Sequence, residues 1–234
     1  MSIELLNNVA IYVVYLGAIF IPTLFWIWYF RYHDREHPEP WGAVEKTFLF
    51  SFLAAGIAIG SERLILPTIG LDLKSNGLFF VSLGFLFYGL LEEITKFSVL
   101  RFYAYHLKAF DEPIDGVIYG ITVGLGFATC ENILIIAQNG LDVAFSRFAT
   151  ATLLHALLAG VVGYFLSLKK FGFSNDSWIG VKALVVVGFL HAGYNYYSIF
   201  GKYSAYGMVL FNLAVFVVLL VMVSRMRKIR AWFD

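Results

Sequence analysis

The sequence predicts an all-α fold: a polytopic transmembrane helical bundle of about seven to eight spans that forms a single domain over residues 1–234. Of these 234 residues, 60% are hydrophobic and only 14% are charged, whereas a soluble domain is about 45–50% apolar and about 25% charged. Apolar runs close to the ~20 residues that a bilayer-spanning helix needs recur along the chain. No low-complexity tail or Pro/Ser-rich linker divides these runs into two domains.

Seven apolar segments are the predicted spans. They cover residues 9–30, 43–60, 78–100, 116–137, 148–168, 178–199 and 205–224. The first is too long for the apolar core of a secretory signal, and it is preceded by Glu4 without any Lys or Arg. We therefore expect a retained first helix rather than a cleaved leader.

The lysines and arginines between the spans are distributed unequally. Twelve fall on one side of the predicted membrane, and four fall on the other, namely Arg63, Lys74, Arg147 and Lys202. Because basic residues accumulate on the cytoplasmic side of membrane proteins, we expect a multi-pass protein of the cell membrane. Its N-terminus is predicted outside and its C-terminus in the cytoplasm, which requires an odd number of spans.

Charge and cysteine content exclude several kinds of function. The formal net charge is only +1, so no basic field favours nucleic acid, and we expect no nucleic-acid partner. Cys130 is the single cysteine, which excludes an intrachain disulfide framework and a zinc site built from cysteines.

The third predicted span carries the sequence Glu92-Glu93-Ile94-Thr95-Lys96. A charged side chain at the bilayer centre costs at least ~2.5 kcal/mol, so these residues require an explanation. Helical geometry places Glu92 and Lys96 on one face, with Glu93 three residues from the lysine. A structural ion pair explains one glutamate and the lysine but leaves a second carboxylate. Two adjacent carboxylates disfavour double ionisation, which is how general acids and bases are tuned, and we favour a catalytic role.

Two further spans each contain a histidine on a face rich in small residues. His155 lies in the pattern Ala151-x3-His155-x3-Ala159-x3-Gly163, a row that allows close helix approach, so this imidazole faces protein. His191 and Asn195 share one face of the sixth span. Each histidine alone is equally compatible with an interhelical hydrogen bond. Together they supply two imidazoles and an amide that can donate to an oxyanion.

The fourth span ends in Glu131-Asn132. Asn132 closes a stripe of small residues at four-residue spacing, formed by Gly116, Gly120, Gly124 and Ala128, which predicts a helix-packing seam. Glu131 is either a third acid of the site or a group near the outer interface. We favour a supporting role for Glu131 and Asn132, as for Lys96.

Carboxylates, imidazoles and an amide on neighbouring helices suit hydrolysis by activated water. No serine nucleophile stands out, because nothing matches Gly-x-Ser-x-Gly. The same set, Glu92, His155 and His191, could hold Zn²⁺ with an open position for water. The residues alone do not distinguish these two arrangements.

The ordered set of motifs resembles the PrsW family of intramembrane proteases, over roughly residues 22 to 199. The matching stretches are Asp34-Arg35-Glu36-x-Pro38-Glu39-Pro40, Glu92-Glu93-x-x-Lys96, Phe110-Asp111-Glu112-Pro113-x-Asp115-Gly116, Tyr119-Gly120-x3-Gly124-x-Gly126-Phe127-Ala128-x2-Glu131-Asn132, His155 and His191-x3-Asn195. The resemblance implies site-1-type cleavage of a membrane-anchored, single-span anti-sigma factor.

That family is similar in turn to the type II CAAX prenyl endopeptidases, with the patterns Glu-Glu-x3-Arg, Phe-x3-His and His-x3-Asn/Asp. By this resemblance Glu92 and His155 activate water, His191 and Asn195 hold the oxyanion, and Glu93 supports them. Lys96 comes one residue earlier than the family arginine, and Ala151 replaces the phenylalanine. These departures favour membership of the PrsW family over cleavage of prenylated CAAX substrates. We expect no obligatory cofactor, with a divalent metal such as Zn²⁺ as the alternative.

A transporter or proton relay is the main competing interpretation, because buried Glu, His and Lys also serve there. Many transporters contain inverted repeats, and the Glu-Glu segment has no counterpart in the other half of the chain. A purely structural membrane protein is a third possibility, which the cost of several buried ionisable groups disfavours.

Overall fold

The computed structural model describes residues 3–33, 37–68, 78–201 and 204–230. Over this part of the chain the secondary structure is helical throughout, without strands, which confirms the predicted all-α class. The helices are α1 (Ile3–His33), α2 (Trp41–Thr68), α3 (Leu78–Phe102), α4 (Asp115–Asn139), α5 (Asp142–Ala149), α6 (Ala151–Lys170), α7 (Ile179–Phe200) and α8 (Ser204–Arg230), with a 3-10 turn at Ala104–His106. Arg35, Lys74 and Lys202, which entered the predicted charge asymmetry, lie outside the described residues.

The number of membrane spans is slightly lower than predicted. Among the described residues, six segments are long and apolar enough to cross a membrane: Ala10–Tyr32, Trp41–Ile65, Asp115–Asn139, Asp142–Lys170, Ile179–Phe200 and Ala205–Met226. The predicted third span coincides with α3, which carries Glu92, Glu93 and Lys96 and is not one of the six. Six such helices still indicate a multi-pass membrane protein.

Helix α4 lies at the centre of the bundle and is buried along almost its whole length. It packs most extensively against α6, and α2 and α1 cover its other sides. Helix α3 packs mainly against α7. The peripheral helices α1 and α8 expose large apolar side chains such as Ile21 and Leu210, as expected of lipid-facing surfaces.

The α4–α6 contact depends on glycine, which confirms the predicted packing seam. A Cβ atom on Gly120 would overlap the backbone oxygen of Ala159, and one on Gly124 would overlap that of His155. The glycines Gly116 and Gly163 face each other in the same way. Small residues thus allow the two backbones to touch, as in close-packed membrane helices.

Buried polar side chains also join the helices. Thr23 of α1 and Thr129 of α4 share a hydrogen bond of 2.8 Å, and Ser51 of α2 donates to the Val123 oxygen at 2.6 Å. Asn212 of α8 donates to the carbonyl oxygens at the α5–α6 junction, at 3.0 and 2.8 Å. Because water is scarce inside such a bundle, these bonds satisfy groups that would otherwise be orphaned.

The segment before α2 forms hydrogen bonds to α1 and to α4. The guanidinium of Arg31 donates to the backbone oxygen of Glu39 at 3.2 Å, and the Tyr119 hydroxyl donates to the Glu39 carboxylate. Glu39 is buried, and this burial raises its pKa. The Pro38-Glu39-Pro40 stretch of the family resemblance is therefore anchored to α4, whereas Asp34 to Glu36 lie outside the described residues.

Candidate active site

Three helices bring Glu92, His155 and His191 together inside the bundle. Their side chains come from α3, α6 and α7 and are 6%, 2% and 1% exposed, respectively. One potential ligand atom from each residue lies within 4.8 Å of the other two. The Glu92 Oε2 atom is 3.9 Å from His155 Nδ1 and 3.7 Å from His191 Nε2.

Each imidazole also forms a hydrogen bond to a further carboxylate through its ring nitrogen that points away from Glu92. The distance from His155 Nε2 to Glu131 Oε2 is 3.0 Å, and from His191 Nδ1 to Glu93 Oε1 it is 2.7 Å. Since an ionised carboxylate only accepts hydrogen bonds, both of these ring nitrogens carry the hydrogen. The opposite nitrogens, Nδ1 of His155 and Nε2 of His191, therefore present lone pairs near Glu92.

Lys96 connects Glu93, which holds His191, to His155. Its side chain is 2% exposed, and its ammonium donates to Glu93 Oε1 at 2.6 Å and to His155 Nδ1 at 2.7 Å. The same ammonium lies 3.8 Å from Glu92 Oε2 and 4.5 Å from the centre of the Phe127 ring. A cation in contact with two carboxylates and a ring face is compensated despite its burial.

The Glu92 carboxylate is less well satisfied than its neighbours. Its Oε2 atom is buried and has no hydrogen-bond partner among the residues that the structure describes. An unsatisfied buried acceptor costs roughly 1–3 kcal/mol, and more when it is charged. Such an atom in a cluster of imidazoles is suited to accept a proton from water or to bind a cation.

The predicted supporting residues Glu131 and Asn132 form an outer layer with Arg147 of α5. Arg147 donates to Glu131 Oε2 at 2.6 Å and to Asn132 Oδ1 at 2.5 Å. Asn132 in turn donates to Thr152 of α6 at 2.8 Å. This network fixes the carboxylate that orients His155.

Asn195, a predicted catalytic residue, lies apart from the cluster in the structure. It lies one turn after His191 on α7 and is half-buried. Within the described part of the chain, its amide makes no hydrogen bond to Glu92, His155 or Lys96. The structure therefore brings Glu92, Glu93, Lys96, His155, His191 and Glu131 into contact, but not Asn195.

Arg147 and Glu62 also contact or lie beside the cluster, although neither is a predicted site residue. Arg147 counted as a loop cation, although its neighbourhood has the amphipathic pattern of the short helix α5. Glu62 falls just beyond the predicted second span, yet α2 continues to Thr68, and this carboxylate is 5% exposed with Oε1 lacking a partner. It interacts electrostatically with Glu131, Lys96 and Glu92.

The residues present fit a divalent metal ion. Two neutral imidazole nitrogens and one carboxylate are a typical ligand set of catalytic zinc, with a fourth position left for water or substrate. Glu131 and Glu93 hold the outer nitrogen of each imidazole, as second carboxylates commonly do at such sites. The Oε2 atom of Glu92, which has no hydrogen-bond partner among the described residues, would supply the third ligand atom.

Known proteins are similar to this chain over most of its length. Residues 39–223 match the family model described as PrsW family intramembrane metalloprotease. The chain is 32% identical over 187 residues to Protease PrsW of Geobacillus kaustophilus, covering 80% of each chain. It is 33% identical over 183 residues to Protease PrsW of Bacillus subtilis, covering 77% of this chain and 81% of the relative.

A relative from a third organism shows the same likeness over a shorter stretch. Protease PrsW of Clostridioides difficile is 33% identical over 155 residues, or 64% of each chain. No solved structure matches. The matched region contains every residue of the cluster, from Glu62 to His191. The chain belongs to the PrsW family of intramembrane metalloproteases.

Proposed function

We propose that this protein hydrolyses a peptide bond of a membrane-anchored, single-span protein, using water activated at Glu92. The observation that carries the proposal is the buried cluster of Glu92, His155 and His191, in which Glu92 Oε2 has no hydrogen-bond partner. A buried base with an open acceptor is what proton removal from water requires. The family resemblance makes a membrane-anchored anti-sigma factor the expected substrate class.

We assign each of these side chains a role in peptide hydrolysis. Glu92 accepts the proton of the attacking water, and His155, oriented by Glu131, shares that proton. Glu93 positions the ring of His191. The Nε2 atom of this ring lies 3.7 Å from Glu92 Oε2 and donates to the developing oxyanion when it carries a proton taken from that carboxylate. Asn195, one turn further along α7, donates its amide to the developing oxyanion. In a metal-loaded protein Glu92, His155 and His191 would instead act as ligands of a divalent ion such as Zn²⁺, which would supply a Lewis acid that polarises the scissile carbonyl.

Cleavage by the purified protein tests this proposal. We expect detergent-purified enzyme to cut a single-span substrate, and 1,10-phenanthroline to stop cleavage until Zn²⁺ is restored. Mass spectrometry of the products measures both effects. Full cleavage in the presence of the chelator would support a metal-free glutamate mechanism. An absence of cleavage together with proton flux in proteoliposomes would instead support the transporter or proton relay.

The proposed orientation places the N-terminus outside the cell and the C-terminus in the cytoplasm, which requires α3 to cross the membrane as a seventh span beside the six candidate spans. Asp142 at the start of α5 and Asp176 after α6 are both solvent-accessible. Helix α6 has 20 residues, or roughly 30 Å of helix, between them. We expect a cysteine at position 142 to react with an impermeant maleimide in intact cells, and one at position 176 only after lysis. Cys130 is buried and serves as the internal control. Equal labelling of both positions would refute the topology.

A further inference from the structure

Lys96 lies where a metal ion would interact with the cluster. Its ammonium nitrogen is 2.7 Å from His155 Nδ1 and 3.8 Å from Glu92 Oε2. These are two of the three atoms that the proposed metal site uses. The outer nitrogen of His155 is bonded to Glu131, so Nδ1 has the only lone pair of this ring that faces the cluster. One lone pair cannot serve an ammonium and a metal ion at the same time.

The charged side chains around the site also indicate that Lys96 occupies the position nearest to the ligand atoms. Four carboxylates, those of Glu62, Glu92, Glu93 and Glu131, lie in or beside the cluster. Within the described residues the cations that interact with these carboxylates are Lys96, Arg147 and, beside Glu62, Arg63. Among these cations Lys96 is the one in contact with both Glu92 and His155.

Glu93 allows the ammonium to move without becoming unpaired. Lys96 is bonded to Glu93 Oε1 at 2.6 Å as well as to His155. If a metal took the His155 lone pair, the ammonium would keep its closest carboxylate. The arrangement therefore has two internally consistent states, one with Lys96 on His155 and one with Lys96 on Glu93 alone.

We propose that the Lys96 ammonium and a divalent transition-metal ion compete for the lone pair of His155 Nδ1, so that Lys96 limits how tightly the site holds metal. This inference rests on the metal site of the proposed function. In the metal-free protein Lys96 keeps His155 and Glu93 in place. On metal binding it loses one hydrogen bond and faces a like charge nearby, and both effects weaken binding.

Metal affinity of Lys96 variants tests the competition. The full-length protein is purified in detergent, stripped of metal and titrated with Zn²⁺ against a chromophoric chelator. Lys96→Gln removes the charge but keeps a donor for Glu93, and we expect its Kd for Zn²⁺ to fall by about tenfold or more. Lys96→Arg keeps the charge and should bind no more tightly than wild type. Lys182→Gln, at an exposed lysine paired with Asp176, is the matched control and should bind as wild type does.

Thermal unfolding of each variant shows whether it is folded, and Lys96→Met replaces Lys96→Gln if the latter does not accumulate. Equal or weaker Zn²⁺ binding by a folded neutral variant would overturn the competition. Absence of specific Zn²⁺ binding in all variants would overturn it too, whereas cleavage without metal would leave the protease function intact. Conversely, tighter binding in a protein that cleaves no substrate would uphold the competition and count against the proposed function.

Discussion

Replacing Glu92 with glutamine is expected to lower kcat for peptide cleavage by about 10³-fold or more, while the protein still accumulates and unfolds near the wild-type temperature. Glutamine keeps the shape of the side chain but cannot accept a proton from water and is a poorer metal ligand. Because Glu92 Oε2 has no hydrogen-bond partner, the substitution breaks no bond at that atom. Cleavage rates of purified protein, measured beside thermal unfolding, check the expectation.

Two comparisons make this result specific. Glu45→Gln, at an exposed position of α2, changes the same chemical group away from the site and should leave the rate unchanged. The double variant of Glu92→Gln with His155→Ala should be about as slow as either single variant, since residues that act as a unit do not contribute additively. Full activity of purified Glu92→Gln would contradict the assignment of the base.

The central contacts of the site follow from helical spacing. Glu92, Glu93 and Lys96 are three and four residues apart, so they must meet on one face of any helix that contains them. The small-residue rows of α4 and α6 place those helices in backbone contact, which brings His155 towards the interior. Local periodicity therefore predicted which side chains face inward. Which inward-facing groups touch one another depends on helix rotation and depth, which no spacing within a single segment specifies.

The missed residues illustrate this limit. The helix is interrupted at Thr150, between α5 and α6. This interruption places the short helix α5 beside the end of α4, so that Arg147 reaches Glu131. A continuous fifth span from residue 148 to 168, as predicted, hides that break. Glu62 falls outside the predicted second span, which ends at Gly60, although helix α2 continues to Thr68. In both cases a helix boundary, rather than the chemistry of the residue, concealed its role.

Asn195 shows the opposite case, in which correct spacing did not ensure contact. It shares a face of α7 with His191, but it lies a full turn along the axis, about 6 Å away. His191 already sits against Glu92 and Glu93. A group one turn further on can meet the substrate without meeting the cluster, which is why its proposed role is directed at an oxyanion and not at the base.

The close approach of α4 and α6 makes Gly124 a sensitive position, because it lies against the backbone of His155. A Cβ atom there would overlap the backbone oxygen of His155 and crowd Ala156. Alanine is the better helix former by roughly 1 kcal/mol, so its intrinsic effect on an unconstrained helix is stabilising. Overpacking typically costs about 1–3 kcal/mol, and the obstacle here is backbone that cannot rotate away. The steric effect should therefore prevail over the gain in propensity.

We expect Gly124→Ala to lower both the unfolding temperature and the cleavage rate, because α6 carries His155 and cannot retreat without pulling its imidazole from Glu131 and Lys96. Gly60→Ala is the matched control: it makes the same change in α2 at a site with nothing within 4 Å of the new Cβ, so its unfolding temperature should stay equal or rise. Thermal unfolding and cleavage assays on the two variants make the comparison. Wild-type stability and rate in Gly124→Ala would show that α6 can shift without disturbing His155, and would contradict a rigid seam as the support of the site.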